Sequence, residues 1–96
     1  PDGFITREEI AVVLHQYLFY EYRLQHPDGS HFSLNYPDYP EQYTDTAAIS
    51  ESADRAMRWA VGNFKILSGK TPTTLNPQDT ATRAEAVTFL QRFRGM

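Results

Sequence analysis

The sequence is marked first by what it lacks. It has no cysteine among its 96 residues, which excludes a disulfide framework and a zinc site built from thiolates. No apolar run approaches the roughly 20 residues that a membrane-spanning helix needs. Lysine and arginine number 9 against 12 acidic residues, for a formal net charge of −3, whereas proteins that bind the nucleic-acid backbone usually present a basic face. We therefore expect a small soluble domain with no membrane insertion and no nucleic-acid partner.

The usual signatures of an enzyme are also missing. The sequence contains no cysteine nucleophile, no Gly-x-Ser-x-Gly motif and no phosphate-binding loop. Its three histidines, His15, His26 and His31, have no second ligand at a convincing metal spacing. We therefore expect no catalytic residue, no metal and no cofactor. The chain starts at Pro1 without a basic-then-apolar leader, so we expect a mature or cropped piece whose targeting segment lies outside it.

Apolar residues at helical spacing predict a first helix from Thr6 to about Tyr22. A turn follows at Pro27-Asp28-Gly29-Ser30, because proline cannot continue the hydrogen-bond ladder and Asp-Gly favours turns. The face that we expect to be buried contains Ile10, Val13, Leu14, Tyr17 and Leu18.

A second helix is predicted to begin near Ser50 or Ser52 and to end at Gly62-Asn63. Trp59 falls well off the apolar stripe of this helix, so we expect it to face something else. A third helix is predicted from Thr82 to about Arg94. The stripe of the second helix contains Ala53, Ala56, Met57, Ala60 and Phe64.

Two irregular segments connect these helices. The first, residues 24–44, contains three prolines and four aromatic residues, which favours a packed loop over a floppy one. We expect its tyrosine-proline stretch, residues 35–43, to cover an exposed helix face, with carbohydrate binding as the less favoured alternative. The second segment, residues 66–79, is rich in Gly, Pro, Thr and Asn. Its apolar residues Ile66, Leu67 and Leu75 are expected to be buried.

The chain contains an internal repeat. Thr-Arg-x-Glu occurs at Thr6–Glu9 and again at Thr82–Glu85, an offset of 76. Such a repeat indicates one supersecondary unit used twice, since a single unit seldom buries its apolar face alone. At this offset Ile10, Val13, Leu14 and Tyr17 align with Ala86, Phe89, Leu90 and Phe93, and Pro1 aligns with Pro77.

The second copy, residues 43–93, resembles the S-layer homology repeat of bacterial surface proteins. Several spaced motifs agree at once, which makes the resemblance specific. Residues 1–20 resemble only the tail of a preceding repeat, so the chain holds about one and a half units. The motifs are Tyr43-Thr44-Asp45, Trp59-Ala60-Val61, Ser68-Gly69-Lys70, Asn76-Pro77 and Thr82-Arg83-Ala84-Glu85.

This resemblance implies an all-α fold, a helix–loop–helix repeat packed as a small helical bundle. Residues 1–23 would be the last helix of a partial repeat, residues 24–42 a connecting loop and residues 43–96 a complete repeat. Repeats of this kind usually work in threes, form a three-pronged bundle and bind secondary cell-wall polysaccharide non-covalently. The location implied is extracellular, at the cell wall or S-layer of a secreted protein.

Each Thr-Arg-x-Glu motif is a capping box, in which threonine and glutamate satisfy the first amides of a helix. The arginines Arg7 and Arg83 are unusual there, because a cation in the first turn opposes the helix dipole. Helix amides and a guanidinium together suit an acidic ligand such as a pyruvylated glycan. The alternative is an ion pair with Asp2, Asp79 or Asp45, and the resemblance favours ligand binding for Arg83 more than for Arg7.

The remaining candidates combine the resemblance with local chemistry. Trp59 could stack on a sugar or pack against a neighbouring repeat, and packing is slightly favoured. Gly69 and Lys70 could bring backbone and charge to a ligand, although a surface Ser-Gly-Lys turn needs none. The full set of expected ligand-binding residues is Arg83, Thr82, Glu85, Trp59, Asp45, Gly69, Lys70 and Arg7.

Three functional hypotheses follow. The first is a non-catalytic module that anchors a surface protein to an acidic cell-wall polysaccharide. The second is an assembly module that self-associates or packs on neighbouring repeats of a parent chain, since half-repeats expose apolar stripes. The third and least favoured is a remnant of a surface hydrolase whose catalytic domain is missing.

Overall fold

A computed structural model of the chain describes residues 5–28, 36–62 and 66–95. These residues form three α-helices: α1 (Arg7–Gln25), α2 (Asp54–Gly62) and α3 (Arg83–Arg94). Two 3₁₀ turns, Thr46–Ala48 and Glu51–Ala53, precede α2. In these three ranges the only β-type pairings are isolated bridges. The all-α prediction is confirmed.

Both capping boxes form as the sequence predicts. The Oγ1 of Thr6 accepts from the amide of Glu9 at 3.2 Å, and the Oε1 of Glu9 accepts from the amide of Thr6 at 2.7 Å. The same exchange between Thr82 and Glu85 spans 3.1 and 2.9 Å. Helix α1 runs three residues past the predicted end at Tyr22, because Arg, Leu and Gln favour helix and the first proline follows later.

The core lies where α1 packs on α2 and on the segment between α2 and α3. The predicted burial of Ile66, Leu67 and Leu75 is confirmed. Helix α2 buries its predicted alanine and methionine stripe and also Val61 and Trp59. Phe64, predicted on the same stripe, lies outside the described residues.

The predicted buried face of α1 is only partly right. Ile10 and Leu14 are buried and Leu18 is partly buried, but Val13 and Tyr17 are about half exposed. The reason is that Arg7 and Ala11 are turned inward with Leu14, which rotates the buried stripe away from Val13 and Tyr17.

The loop before α2 is packed, as its aromatic residues predict. Tyr36, Tyr39 and Tyr43 are partly buried against the core. The hydroxyl of Tyr39 donates to Oδ1 of Asp54 at 2.7 Å, which fixes the loop to the start of α2. Phe32, the fourth aromatic residue of this loop, lies outside the described ranges.

Within the described ranges, no helix is both long and apolar enough to cross a bilayer. The same ranges contain no group of three side chains able to hold a metal ion.

Candidate functional site

Arg7 opens α1 and points into the protein rather than into solvent. It is 1% exposed. Its Nε donates to the carbonyl of Leu75 at 2.8 Å, and its Nη2 donates to the carbonyl of Ser68. Its Nη1 forms an ion pair of 2.8 Å with Oε2 of Glu85. The arginine of the first copy therefore binds the loop and the capping glutamate of the second copy.

The ring of Phe89 lies under this guanidinium, 5.3 Å from Cζ to the ring centroid, a cation–π distance. Burial lowers the pKa of Arg7, and the negative charge of Glu85 opposes that shift. An arginine pKa is ordinarily so high that the group stays protonated at neutral pH. The pKa of Glu85 is lowered, first by the amide of Thr82 and also by Arg7, so the carboxylate stays ionised.

The amides in the first turn of α1 are already used by the protein. The amide of Arg7 donates to the carbonyl of Asp79 at 3.0 Å, and that of Glu8 donates to the carbonyl of Pro77 at 3.1 Å. The third amide, of Glu9, donates to the Thr6 hydroxyl. This helix start therefore offers a ligand none of its first three amides.

Beside the Arg7–Glu85 pair lies a shallow pocket of about 260 Å³, here named the loop pocket. Its size is close to the lower end of common ligand sites, about 300 Å³. Two solvent-accessible cations, Lys70 and Arg92, lie on its walls. Its lining residues are Arg7, Ser68, Gly69, Lys70, Ala84, Glu85, Thr88, Phe89 and Arg92.

The side chains of Lys70 and Arg92 are held only weakly by contacts within the chain. The ammonium of Lys70 lies 3.4 Å from Oδ2 of Asp79, and both side chains are more than 40% exposed. The Nη1 of Arg92 donates to the Ser68 hydroxyl at 3.2 Å. Because exposed pairs contribute little to stability, both side chains can turn toward an anion at low cost.

Gly69 is required by the packing of the loop pocket wall. A Cβ at this position would lie 2.5 Å from the carbonyl oxygen of Thr71 and 2.6 Å from Cε1 of Tyr43. The amide of Gly69 donates to the Tyr43 hydroxyl at 3.2 Å. The loop can therefore approach both neighbours only with glycine here.

The structure brings together four of the eight predicted site residues: Arg7, Gly69, Lys70 and Glu85 line the loop pocket. Thr82 supports it indirectly by capping α3 and by holding Glu85. Arg83, the first residue of α3, is exposed but does not line this pocket.

Asp45 and Trp59 lie elsewhere. Both carboxylate oxygens of Asp45 accept backbone amides, from Leu75 at 2.9 Å and from Asn76 at 2.8 Å, so this side chain shapes the loop. Trp59 is fully buried against His15 and Phe93. Packing, the slightly favoured role of Trp59, is the role that its contacts support, since no ligand reaches it without opening the core.

The expected ion pairs of Arg7 with an aspartate need correction. The ion-pair partner of its guanidinium is Glu85, and the carboxylates of Asp79 and Asp45 act on that guanidinium only through their charge. Asp2 lies outside the described residues. Local sequence patterns could not identify Glu85 as the partner of Arg7, because the two residues lie 78 positions apart in sequence.

Sequence reasoning missed three polar residues of the loop pocket as ligand contacts: Ser68, Thr88 and Arg92. A signal for two of them was present. Glu85, Thr88 and Arg92 follow the spacing i, i+3, i+7 and therefore lie on one face of α3. Ser68 carried no such signal, because its neighbourhood depends on how the loop folds back.

Comparison with known protein families matches residues 42–87 to the S-layer homology domain. No curated protein and no solved structure matches the chain. The matched segment includes five of the nine residues that line the loop pocket, and Arg7, Thr88, Phe89 and Arg92 lie outside it. S-layer homology domains have a general role in cell-wall anchoring at the cell surface and are not a catalytic family. The chain thus carries an S-layer homology domain over residues 42–87.

Proposed function

We propose that this chain anchors a bacterial surface protein by binding an acidic group of secondary cell-wall polysaccharide in the loop pocket. The observation that carries the proposal is the convergence of Lys70 and Arg92 on one small pocket of an anchoring domain. A carboxylate, such as that of a pyruvate ketal on a sugar, is a group that an ammonium and a guanidinium can bind together.

The charge balance of the loop pocket supports an anionic ligand. Arg7 is neutralised by Glu85 at 2.8 Å, so the positive charge left for a ligand comes from Lys70 and Arg92. The role of Arg7 in this proposal is to hold Glu85 and the carbonyl of Ser68 in place. The negative charge of Glu85 repels a ligand carboxylate. Binding is therefore limited to a ligand whose carboxylate lies next to Lys70 and Arg92.

The test is calorimetric titration with purified acidic cell-wall polysaccharide, run beside the same polysaccharide with its carboxylates reduced to alcohols. We expect the wild-type chain to bind the acidic form only. Lys70→Gln and Arg92→Gln should each weaken binding about five- to thirtyfold, since a charge-assisted contact contributes about 1–2 kcal/mol.

Arg23→Gln is the matched control, because it removes one cation from an exposed position on α1, outside the loop pocket. Arg83→Ala, with Thr82 and Glu85 kept, tests whether the second arginine also contacts the ligand. Equal binding of the reduced polysaccharide, or equal weakening by Arg23→Gln, would contradict an anion site in the loop pocket.

A further inference from the structure

Residues 43–45, here named the clamp, lie across the loop between α2 and α3 and hydrogen-bond to it at three places. At the first, the Tyr43 hydroxyl accepts from the amide of Gly69 at 3.2 Å. At the second, the amide of Thr44 donates to the carbonyl of Thr73 at 2.9 Å, and the Thr44 hydroxyl donates to the same carbonyl at 3.2 Å. Consecutive residues of the clamp thus hold separate parts of one loop.

The third place is held by the carboxylate of Asp45. Its Oδ1 accepts from the amide of Leu75 at 2.9 Å, and its Oδ2 accepts from the amide of Asn76 at 2.8 Å. Asn76 has a φ of 52°, a left-handed conformation that costs free energy in a residue other than glycine. Hydrogen bonds to an ionised acceptor are stronger than neutral ones, so Asp45 stabilises the backbone where it most needs support.

The clamp encloses the turn that carries Lys70. This residue lies between Gly69 and a tight turn in which the amide of Thr71 donates to the carbonyl of Thr74 at 3.3 Å. Its own ion pair with Asp79 spans 3.4 Å between two exposed side chains, which is too weak to fix the ammonium. The place of the ammonium therefore depends on the backbone of the turn, and that backbone is held by the clamp.

The other cation of the loop pocket is held by a different element. Arg92 belongs to α3, and its Nη1 donates to the Ser68 hydroxyl at 3.2 Å. The hydrogen bonds of the clamp described above end on residues 69–76 and not on α3. Loosening the clamp should therefore displace Lys70 and leave Arg92 in place.

We propose that the clamp is a positioning device for the polysaccharide site, in which Asp45 sets Lys70 opposite Arg92 without contacting the ligand. This inference rests on the proposed function of the loop pocket. Binding groups need to be held to within about 0.5 Å by the residues behind them. Asp45, expected from the sequence to bind the ligand, thus serves binding through the backbone of the Lys70 turn.

A double-mutant cycle in the calorimetric titration with acidic polysaccharide tests the proposal. Asp45→Asn keeps the size of the side chain but leaves one oxygen in place of two, so one backbone amide loses its acceptor. We expect this change to weaken binding about fivefold in the wild type and in Arg92→Gln. In Lys70→Gln it should weaken binding less than about twofold, because no ammonium is left to misplace.

Asp38→Asn is the matched control. It makes the same chemical change at a carboxylate that is 99% exposed and lies outside the loop pocket, so binding should change by less than about twofold. A purely structural role of Asp45 would weaken binding by the same factor in the Lys70→Gln and Arg92→Gln backgrounds. That result would overturn the positioning role.

Hydrogen exchange of the chain without polysaccharide tests the clamp independently of the proposed function. In Asp45→Asn the amide of Leu75 should exchange about tenfold faster, and the acceleration should reach the amide of Thr71, next to Lys70. The amides of α2 should exchange as in the wild type, which shows that the fold is kept. Unchanged exchange at Thr71 would overturn the proposal, because the effect of Asp45 would then stop short of the turn.

Tyr43→Phe is a second variant that keeps the test decisive if Asp45→Asn fails to fold. It removes only the hydroxyl that accepts from the amide of Gly69, so it should weaken binding about two- to threefold and only while Lys70 is present. Failure of the wild type to bind the polysaccharide would reject the proposed function. The exchange at Thr71 would still decide whether the clamp holds the Lys70 turn.

Discussion

Arg7 resolves an apparent conflict in the sequence, where a cation stands in the first turn of a helix. Its guanidinium leaves the helix start and reaches the carbonyls of Leu75 and Ser68 and the carboxylate of Glu85. Repulsion between this cation and the positive end of the helix dipole costs a few tenths of a kcal/mol. Three charge-assisted contacts in a buried place outweigh it.

Arg7→Met is therefore expected to destabilise the chain by about 3 kcal/mol, because it leaves Glu85 and two carbonyls without their donor. Urea unfolding followed by circular dichroism measures the loss. Arg23→Gln, which removes an exposed arginine from the same helix, should change stability by less than about 0.5 kcal/mol. Equal effects of the two variants would mean that Arg7 is not a structural arginine.

Gly69→Ala is expected to destabilise the chain by about 2 kcal/mol, because the new Cβ meets two backbone carbonyls, of Thr71 at 2.5 Å and of Thr74 at 2.7 Å. Gly95→Ala is the matched control. The nearest atom to a Cβ there is 3.5 Å away, an ordinary contact. Thermal unfolding of the two variants should separate them clearly, and similar melting temperatures would contradict the close approach at Gly69.

The helices are joined by polar contacts at their ends and by an aromatic cluster in their middle. Glu8 of α1 accepts from the amide of Ser50 at 2.9 Å and from its hydroxyl at 2.5 Å, which ties α1 to the turn before α2. His15 of α1 hydrogen-bonds through Nε2 to the Tyr36 hydroxyl at 2.8 Å and lies edge-on to Trp59.

The environment of His15 should make the free energy of unfolding depend on pH. Burial lowers the pKa of His15, and the nearby charge of Arg55 lowers it further. The unfolded chain then binds a proton more readily than the folded one below about pH 6.5. This contribution to stability is complete above that pH and is lost as the pH falls toward the folded pKa.

We expect the free energy of unfolding to decrease between about pH 6.5 and 5 in the wild type and to stay nearly level in His15→Gln. Urea titrations at several pH values measure this. Asp54 and Glu85 also have lowered pKa values, from the Tyr39 hydroxyl and the Thr82 amide respectively. Their contribution is lost only below about pH 5, so it lies below the window of His15.

Each capping box stabilises the N-terminal end of one helix. Thr82→Ala should cost about 1 kcal/mol, because the Glu85 amide loses its acceptor. Thr82→Ser should retain most of the stability, since the hydroxyl is kept. The same pair of variants at Thr6 should behave alike, because its capping geometry matches. Chemical denaturation of the four variants provides the comparison, and a large difference between the two sites would show that Thr82 does more than cap.

At the scale of the whole molecule, the two copies of the repeat share one hydrophobic core. The repeat places residues 1–23 in one unit and residues 43–96 in another, yet Ile10, Ala11 and Leu14 of α1 belong to the same core as α2 and α3. Arg7 supplies a buried ion pair to the second copy. The complete repeat therefore depends on the preceding helix for part of its core.

A fragment of residues 36–96 should consequently lack a cooperative thermal transition, because it exposes Phe89, Phe93 and the unpaired Glu85. A synthetic peptide of residues 1–28 added to it should restore the transition and the fluorescence of the buried Trp59. A sharp transition of the fragment alone would show that the second copy folds independently.

The sequence alone determined the all-α class, the starts of α1 and α3 and the burial of Ile66, Leu67 and Leu75. Capping boxes, apolar spacing and turn residues act over a few neighbouring residues, so they can be read from a single chain. It also contained the motifs of the S-layer homology domain that the family comparison confirms.

Only the tertiary structure decided which face of α1 is buried, that Arg7 points inward and that Arg92 joins Lys70 at the loop pocket. The partners of Arg7 lie 61 to 78 residues away in sequence. Contacts of that range depend on how the loop between α2 and α3 folds back on α1. Packing of the whole chain sets that path, because local preferences are satisfied equally well by several rotations of an amphipathic helix.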